Sequence, residues 1–86
     1  VPIYRGDQLV GGIGVSGDGI DQDDMVSFLG LHNGGQRTGG IGNARFEIRA
    51  DRIVVNVNGR NVRLRYVNCP FAPFLDDPRQ NVCEGL

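Results

Sequence analysis

The chain has 86 residues, room for one domain, and carries a formal net charge of −1 at pH 7. So balanced a charge sets up no long-range field to gather nucleic acid or anionic lipid, and no apolar run nears the roughly 18–20 residues that cross a bilayer. Composition therefore argues against nucleic-acid binding and against membrane insertion.

Every basic residue is arginine, a bias that fits a GC-rich bacterial coding sequence. The chain opens directly on the apolar segment Val1-Pro2-Ile3-Tyr4, with no signal-peptide pattern and no initiating methionine, as expected of a trimmed or excised polypeptide. Fourteen glycines cluster at positions 11–19 and 34–42, where they mark turns between apolar stretches.

In chain order, Pro2–Arg5 and Leu9–Val15 are apolar runs separated by the turn tetrad Arg5-Gly6-Asp7-Gln8, so residues 2–15 read as a β-hairpin. Arg5-Gly6-Asp7 spells an adhesion tripeptide, but as a hairpin turn it needs no such role. A Gly- and Asp-rich loop, Ser16–Ile20, leads to Asp21 as helix N-cap, with Asp23 and Asp24 in the first turn, where the helix dipole favours negative charge. Met25, Val26, Phe28 and Leu29 then supply an apolar stripe. Asn33-Gly34-Gly35 predicts the helix stop near Leu31–Asn33, and residues 35–43 read as a Gly-rich linker. Beyond it, Arg45–Arg49 alternates charged with apolar residues too briefly to assign. Ile53–Val57 and Val62–Val67 flank Asn58-Gly59, the strongest short hairpin signal. The tail from Asn68 to Leu86, rich in proline, reads as irregular. The predicted class is α+β: a β-hairpin, one helix, the linker, and a second hairpin with its tail. Residues 1–34, 35–43 and 44–86 form the three parts.

Several motifs invite chemistry. Gly12-Ile13-Gly14-Val15-Ser16-Gly17 spells the dinucleotide pattern G-x-G-x-x-G, yet no acidic residue follows at about 20 positions on, and the preceding strand belongs to a tight hairpin instead of a parallel sheet. Gly14-Val15-Ser16-Gly17-Asp18 lacks the second glycine of a nucleophile elbow, because Asp18 occupies its place. Val1 offers no N-terminal nucleophile. Asp18, Asp21, Asp23 and Asp24 lack the glycine and glutamate of an EF-hand loop and read as a solvated capping cluster. No catalytic residue emerges, so the chain does not read as an enzyme on its own.

Cys69 and Cys83 are too far apart for a CxxC redox or zinc motif. They form either a disulfide, which belongs to an oxidising compartment such as the periplasm or the exterior, or two separate buried thiols. Cys69-Pro70 also matches a dipeptide used for thiolate ligation of heme, a role that a disulfide at Cys69 excludes. The single histidine, His32, lies at the expected helix C-terminus, where a protonated imidazole gains from the dipole; imidazole is also a common axial ligand of heme iron.

Taken together, Val1-Pro2-Ile3-Tyr4, Leu9-Val10-Gly11-Gly12-Ile13-Gly14-Val15-Ser16-Gly17 and Asp21-Gln22-Asp23-Asp24 resemble the C-terminal signature of the GlcG/HbpS-type heme-binding family. That signature runs as a "gGxPI" strand, a "vvGaIGVSG" strand and a "xxQDe" helix start, and the same module is similar to the C-terminal domain of PduO-type cobalamin adenosyltransferases. The resemblance covers residues 1–34. It implies an antiparallel sheet flanked by helices, usually oligomeric, that binds heme or a related tetrapyrrole. The family's N-terminal half has no counterpart here, and residues 35–86 match nothing in the signature.

The expectation is thus half of a sheet-plus-helices domain, completed by a second polypeptide or by homo-oligomerisation. Its cofactor-binding candidates are Ser16, Gly17, Asp18 and His32, with His32 as the iron ligand. Alternatives are a structural or interaction module without cofactor, or an accessory domain of a corrinoid enzyme.

Overall fold

The computed structural model describes residues 1–17, 19–69 and 82–86. The architecture is α+β, with two antiparallel β-hairpins and one helix. Strands β1 (Pro2–Arg5) and β2 (Gln8–Gly12) form the first hairpin around Gly6, whose φ of 59° supplies the left-handed step of the tight turn. Pairing runs Pro2↔Gly12, Ile3↔Gly11, Tyr4↔Leu9 and Arg5↔Gln8, so Val10 is the extra residue of a bulge. Mutual bonds between Val1 and Ile13, at 2.8 and 2.9 Å, carry the ladder one step beyond the strands. The glycine string is therefore paired through Ile13 and leaves the hairpin at Gly14, earlier than the expected end at Val15.

Helix α1 (Ile20–Thr38) starts two residues ahead of expectation and ends well beyond it. Gly19 is the N-cap and makes no side-chain cap bond, so Asp21 lies inside the first turn with Asp23, where both still complement the helix dipole. The predicted stop at Asn33-Gly34-Gly35 does not operate, and residues 35–38, expected in the linker, form the last turn. The true stop is the next glycine pair: Gly39 and Gly40 have φ of 71° and 80°. Tertiary packing explains the override. At Gly35 the backbone of Ile41 comes so close that any Cβ would overlap the Ile41 carbonyl oxygen. The returning chain then exchanges two bonds between Tyr4 and Gly42, 2.8 and 2.9 Å, on the open edge of β1, and Arg45 pairs with Asp7 of the first turn.

Two short 3-10 turns, Phe46–Ile48 and Ala50–Arg52, follow where the sequence alternates charged and apolar residues. Strands β3 (Val54–Val57) and β4 (Arg60–Arg63) form the second hairpin. Asn58 and Gly59 both adopt positive φ, 52° and 82°, as the Asn-Gly turn requires, and the Asn56 side chain accepts the Gly59 N–H at 3.1 Å. Among the described residues the buried apolar side chains are Met25, Phe28 and Leu31 on one helix face, together with Ala44 and Val82. Val26, expected in the stripe, is half exposed.

Two adjacent glycines near the end of α1 should respond oppositely to the same change. Gly34→Ala meets open space and gains helix propensity, so it should raise stability by up to about 1 kcal/mol. Gly35→Ala must push the Ile41–Gly42 backbone off the helix, costing roughly 1–3 kcal/mol. Urea melts of both variants check the pair.

Candidate functional site

The residues singled out by sequence do not converge. Ser16 and Gly17 sit exposed ahead of α1, and the Gly17 N–H donates to the Asp23 carboxylate at 3.3 Å. Asp18 lies outside the described residues. His32 is half-buried within α1, six residues before its end, so the C-terminal dipole does not reach it. From Asp23 to His32 the helix rises roughly 14 Å, which leaves the Ser16-Gly17 loop and the imidazole at separate places along the axis. Among the described residues, no group of three or more His, Cys, Asp or Glu side chains is placed to hold a metal ion. Asp24 accepts the Asn68 N–H at 3.2 Å, fastening the exit of the second hairpin to the start of the helix.

The pronounced polar feature of the fold lies elsewhere, at Arg49. Its guanidinium is only 8% exposed and stands over three aromatic rings: 5.0 Å from the centre of Tyr66, 5.7 Å from Phe46 and 5.8 Å from Phe28. Each stacking is a favourable cation–π contact, strengthened by exclusion of water. Phe28 and Tyr66 meet edge to face at 6.3 Å. Arg49 Nε and Nη2 donate to the two oxygens of Asp51 at 3.0 and 2.6 Å, and Nη1 donates to the Leu86 carbonyl at 2.8 Å. This bidentate bond holds the Asp51 carboxyl below its ordinary range and raises Arg49 above its own, against the opposing effect of burial. Burial pushes the Tyr66 hydroxyl up, and that hydroxyl has no hydrogen-bond partner among the described residues.

Around this cation lie two hollows. One, of about 260 Å³, is walled by Phe28, Arg49, Arg63, Tyr66 and the two cysteines. The other, of about 170 Å³, lies toward Phe46, Cys83 and Leu86. A third, of about 560 Å³, is an open hollow between the first hairpin turn and residues 40–45. None of the three is bordered by Ser16, Gly17 or His32.

Cys69 and Cys83 are joined as a disulfide, so a Cys69 thiolate ligand is excluded. Arg49 and Tyr66 went unread in the sequence. The one local signal, Arg49-Ala50-Asp51, is a charge pair that looks the same on a protein surface.

Because Asp51 takes up its proton less readily in the folded chain than in the unfolded one, its contribution is complete above the ordinary carboxylate range, near pH 4, and is lost as pH falls through the depressed value. Asp51→Asn should cost roughly 3 kcal/mol at pH 7, since it strands a buried cation, and the two stability curves should converge in acid. Denaturant melts from pH 2 to 7 measure this. Tyr66→Phe keeps the ring under Arg49 and deletes the unpartnered hydroxyl, so it should leave stability unchanged or raise it by about 1 kcal/mol in the same assay.

No family model, curated protein or solved structure matches this chain.

Proposed function

We propose that the chain is a non-catalytic assembly module, completed by a second polypeptide or by further copies of itself. The observation that carries this reading is the second hairpin. Antiparallel register places Ile53, Val55, Val57, Val62 and Leu64 on one face, and all five are between 37 and 48% exposed. The charged and amide residues Arg63, Asn56 and Asn61 take the other face together with Val54. An antiparallel sheet with one apolar face belongs against a core, and a two-stranded ribbon is marginal by itself in water. An aliphatic stripe of this kind, with only Arg60 at its tip, marks a surface built to be covered by protein.

The tetrapyrrole implied by the resemblance of residues 1–34 to the GlcG/HbpS-type family belongs to this reading as a ligand of the assembled form. His32 and the Ser16-Gly17 loop are apart in one chain, so a shared ligand requires the His32 of one chain to face the loop of another. The disulfide supports a periplasmic or secreted setting.

Light scattering over a range of concentrations, paired with thermal melts, tests the assembly. A mass of several chains supports self-association, and an uncooperative melt at the mass of one chain supports a separate partner. A single-chain mass with a sharp cooperative melt sinks the proposal. Val62→Glu should dissociate a self-assembled form while leaving the helical circular dichroism intact. Hemin titration of the assembled sample should give a Soret band that His32→Ala abolishes; no band at all would leave the module without its cofactor.

A further inference from the structure

We propose that two copies of this chain join through the outer edge of β3, paired antiparallel to itself about Val55, so that the second hairpins form one sheet in the order β4-β3-β3-β4. The proposal rests on the assembly reading above and gives it an occupant and a register.

The backbone supplies the first argument. The Leu64 N–H donates to the Ile53 carbonyl at 2.9 Å, so Ile53, Val55 and Val57 direct their ladder groups toward β4. Alternation then turns the N–H and carbonyl groups of Val54 and Asn56 outward. Among the described residues, no backbone hydrogen bond uses these outward groups. Every residue of both strands is exposed, Val54 by 57%. An edge of this kind is a template for another strand.

The second argument is that the other outer edges are guarded. Gly42 occupies the edge of β1, and the bulge at Val10 bends β2. Strand β4 carries Arg60 and Arg63 with Arg65 just beyond, so two copies joined there would crowd like charges. The run Ile53-Val54-Val55-Asn56-Val57 holds no charge, proline or glycine, and every residue but Asn56 is β-branched.

The third argument is closure. With Val55 on a two-fold axis, Val54 faces Asn56 of the copy and Asn56 faces its Val54, so every outward group of β3 meets a partner. Shifting the register by one step either way brings in Arg52, part of a 3-10 turn, or Asn58, held at positive φ. The same register sets Ile53 opposite Val57 of the copy and Val55 opposite its own counterpart on the aliphatic face, as cross-strand aliphatic pairs. Pairing β3 with β4 of a copy would leave an open edge at each end and propagate as a filament, whereas the two-fold arrangement stops at two chains.

Sedimentation velocity, circular dichroism and oxidative cross-linking read this seam together. The chain should sediment at twice its own mass. Val54→Pro removes one outward N–H and no bond of its own hairpin, and Ile53 before it has φ −87° and ψ 126°, which a following proline accepts. It should weaken self-association at least about tenfold, with the helical signal unchanged. Val55→Cys sets a thiol opposite its own counterpart, within the Cα separation of a disulfide. Diamide should link two chains through position 55, mapped by mass spectrometry apart from the native Cys69–Cys83 bond. Val62→Cys, on the same face but roughly 14 Å from its counterpart across the joined sheet, should not link. An assembled chain that keeps its mass in Val54→Pro and does not link through position 55 overturns the seam and leaves the assembly reading standing. An uncooperative melt at the mass of one chain does the same in favour of a separate partner, and a sharp melt at that mass sinks both.

Discussion

A cation buried among aromatic rings is the constraint on which this small fold turns. Arg49 cannot be desolvated unless its charge is matched and its N–H groups are used, and the chain meets both demands from different directions. Asp51 supplies the countercharge locally. Phe28 brings the helix, Phe46 the first 3-10 turn, Tyr66 the exit of the second hairpin, and Leu86 the end of the described chain. The described residues bury five apolar side chains, and the elements that carry Phe28, Phe46 and Tyr66 are joined through the cation as well. The guanidinium acts as the joint where they meet, and its planar fork suits it to bonding at the edge while rings stack on the face.

That joint explains why the chain between the helix and the second hairpin is not free linker. The helix runs on past Asn33 because its end is a docking surface. Gly35 lets the Ile41–Gly42 backbone lie against it, Gly42 pairs with Tyr4, and Asn43 donates to the Phe28 carbonyl at 3.1 Å. Each contact is local in effect, yet together they deliver residues 46–51 to the Phe28 side of the helix. Of the glycines that look like flexibility in the sequence, Gly35 permits this close approach, while Gly39 and Gly40 supply the left-handed turn that ends the helix.

Most of the architecture was legible because it rests on short-range chemistry. Asn58-Gly59 dictates its turn through two positive φ values, Gly6 supplies the positive φ of the first hairpin turn, and the acidic first turn marks the helix start to within two residues. The helix end was misread because Asn33-Gly34-Gly35 and Gly39-Gly40 are both competent stops, and only a contact with a distant backbone chooses between them. Pairing of Cys69 with Cys83 stood as one of two readings until the structure joined them. Arg49 was invisible for a deeper reason: an arginine with Glu47 and Asp51 two positions to either side carries no mark of burial, since the rings that bury it come from positions 28, 46 and 66. Ser16, Gly17 and His32 were chosen by residue type and family resemblance, and neither carries distance.

Around Arg49 the described segments meet, whereas on the second hairpin the aliphatic face is part-exposed, and the opposite face carries only the solvent-exposed pair of Arg63 with Glu84. A chain selected only for its own stability would gain by making that outer face polar, because exposed valines on a two-stranded ribbon contribute little and invite aggregation. Their retention is understandable if the aliphatic face has a fixed occupant.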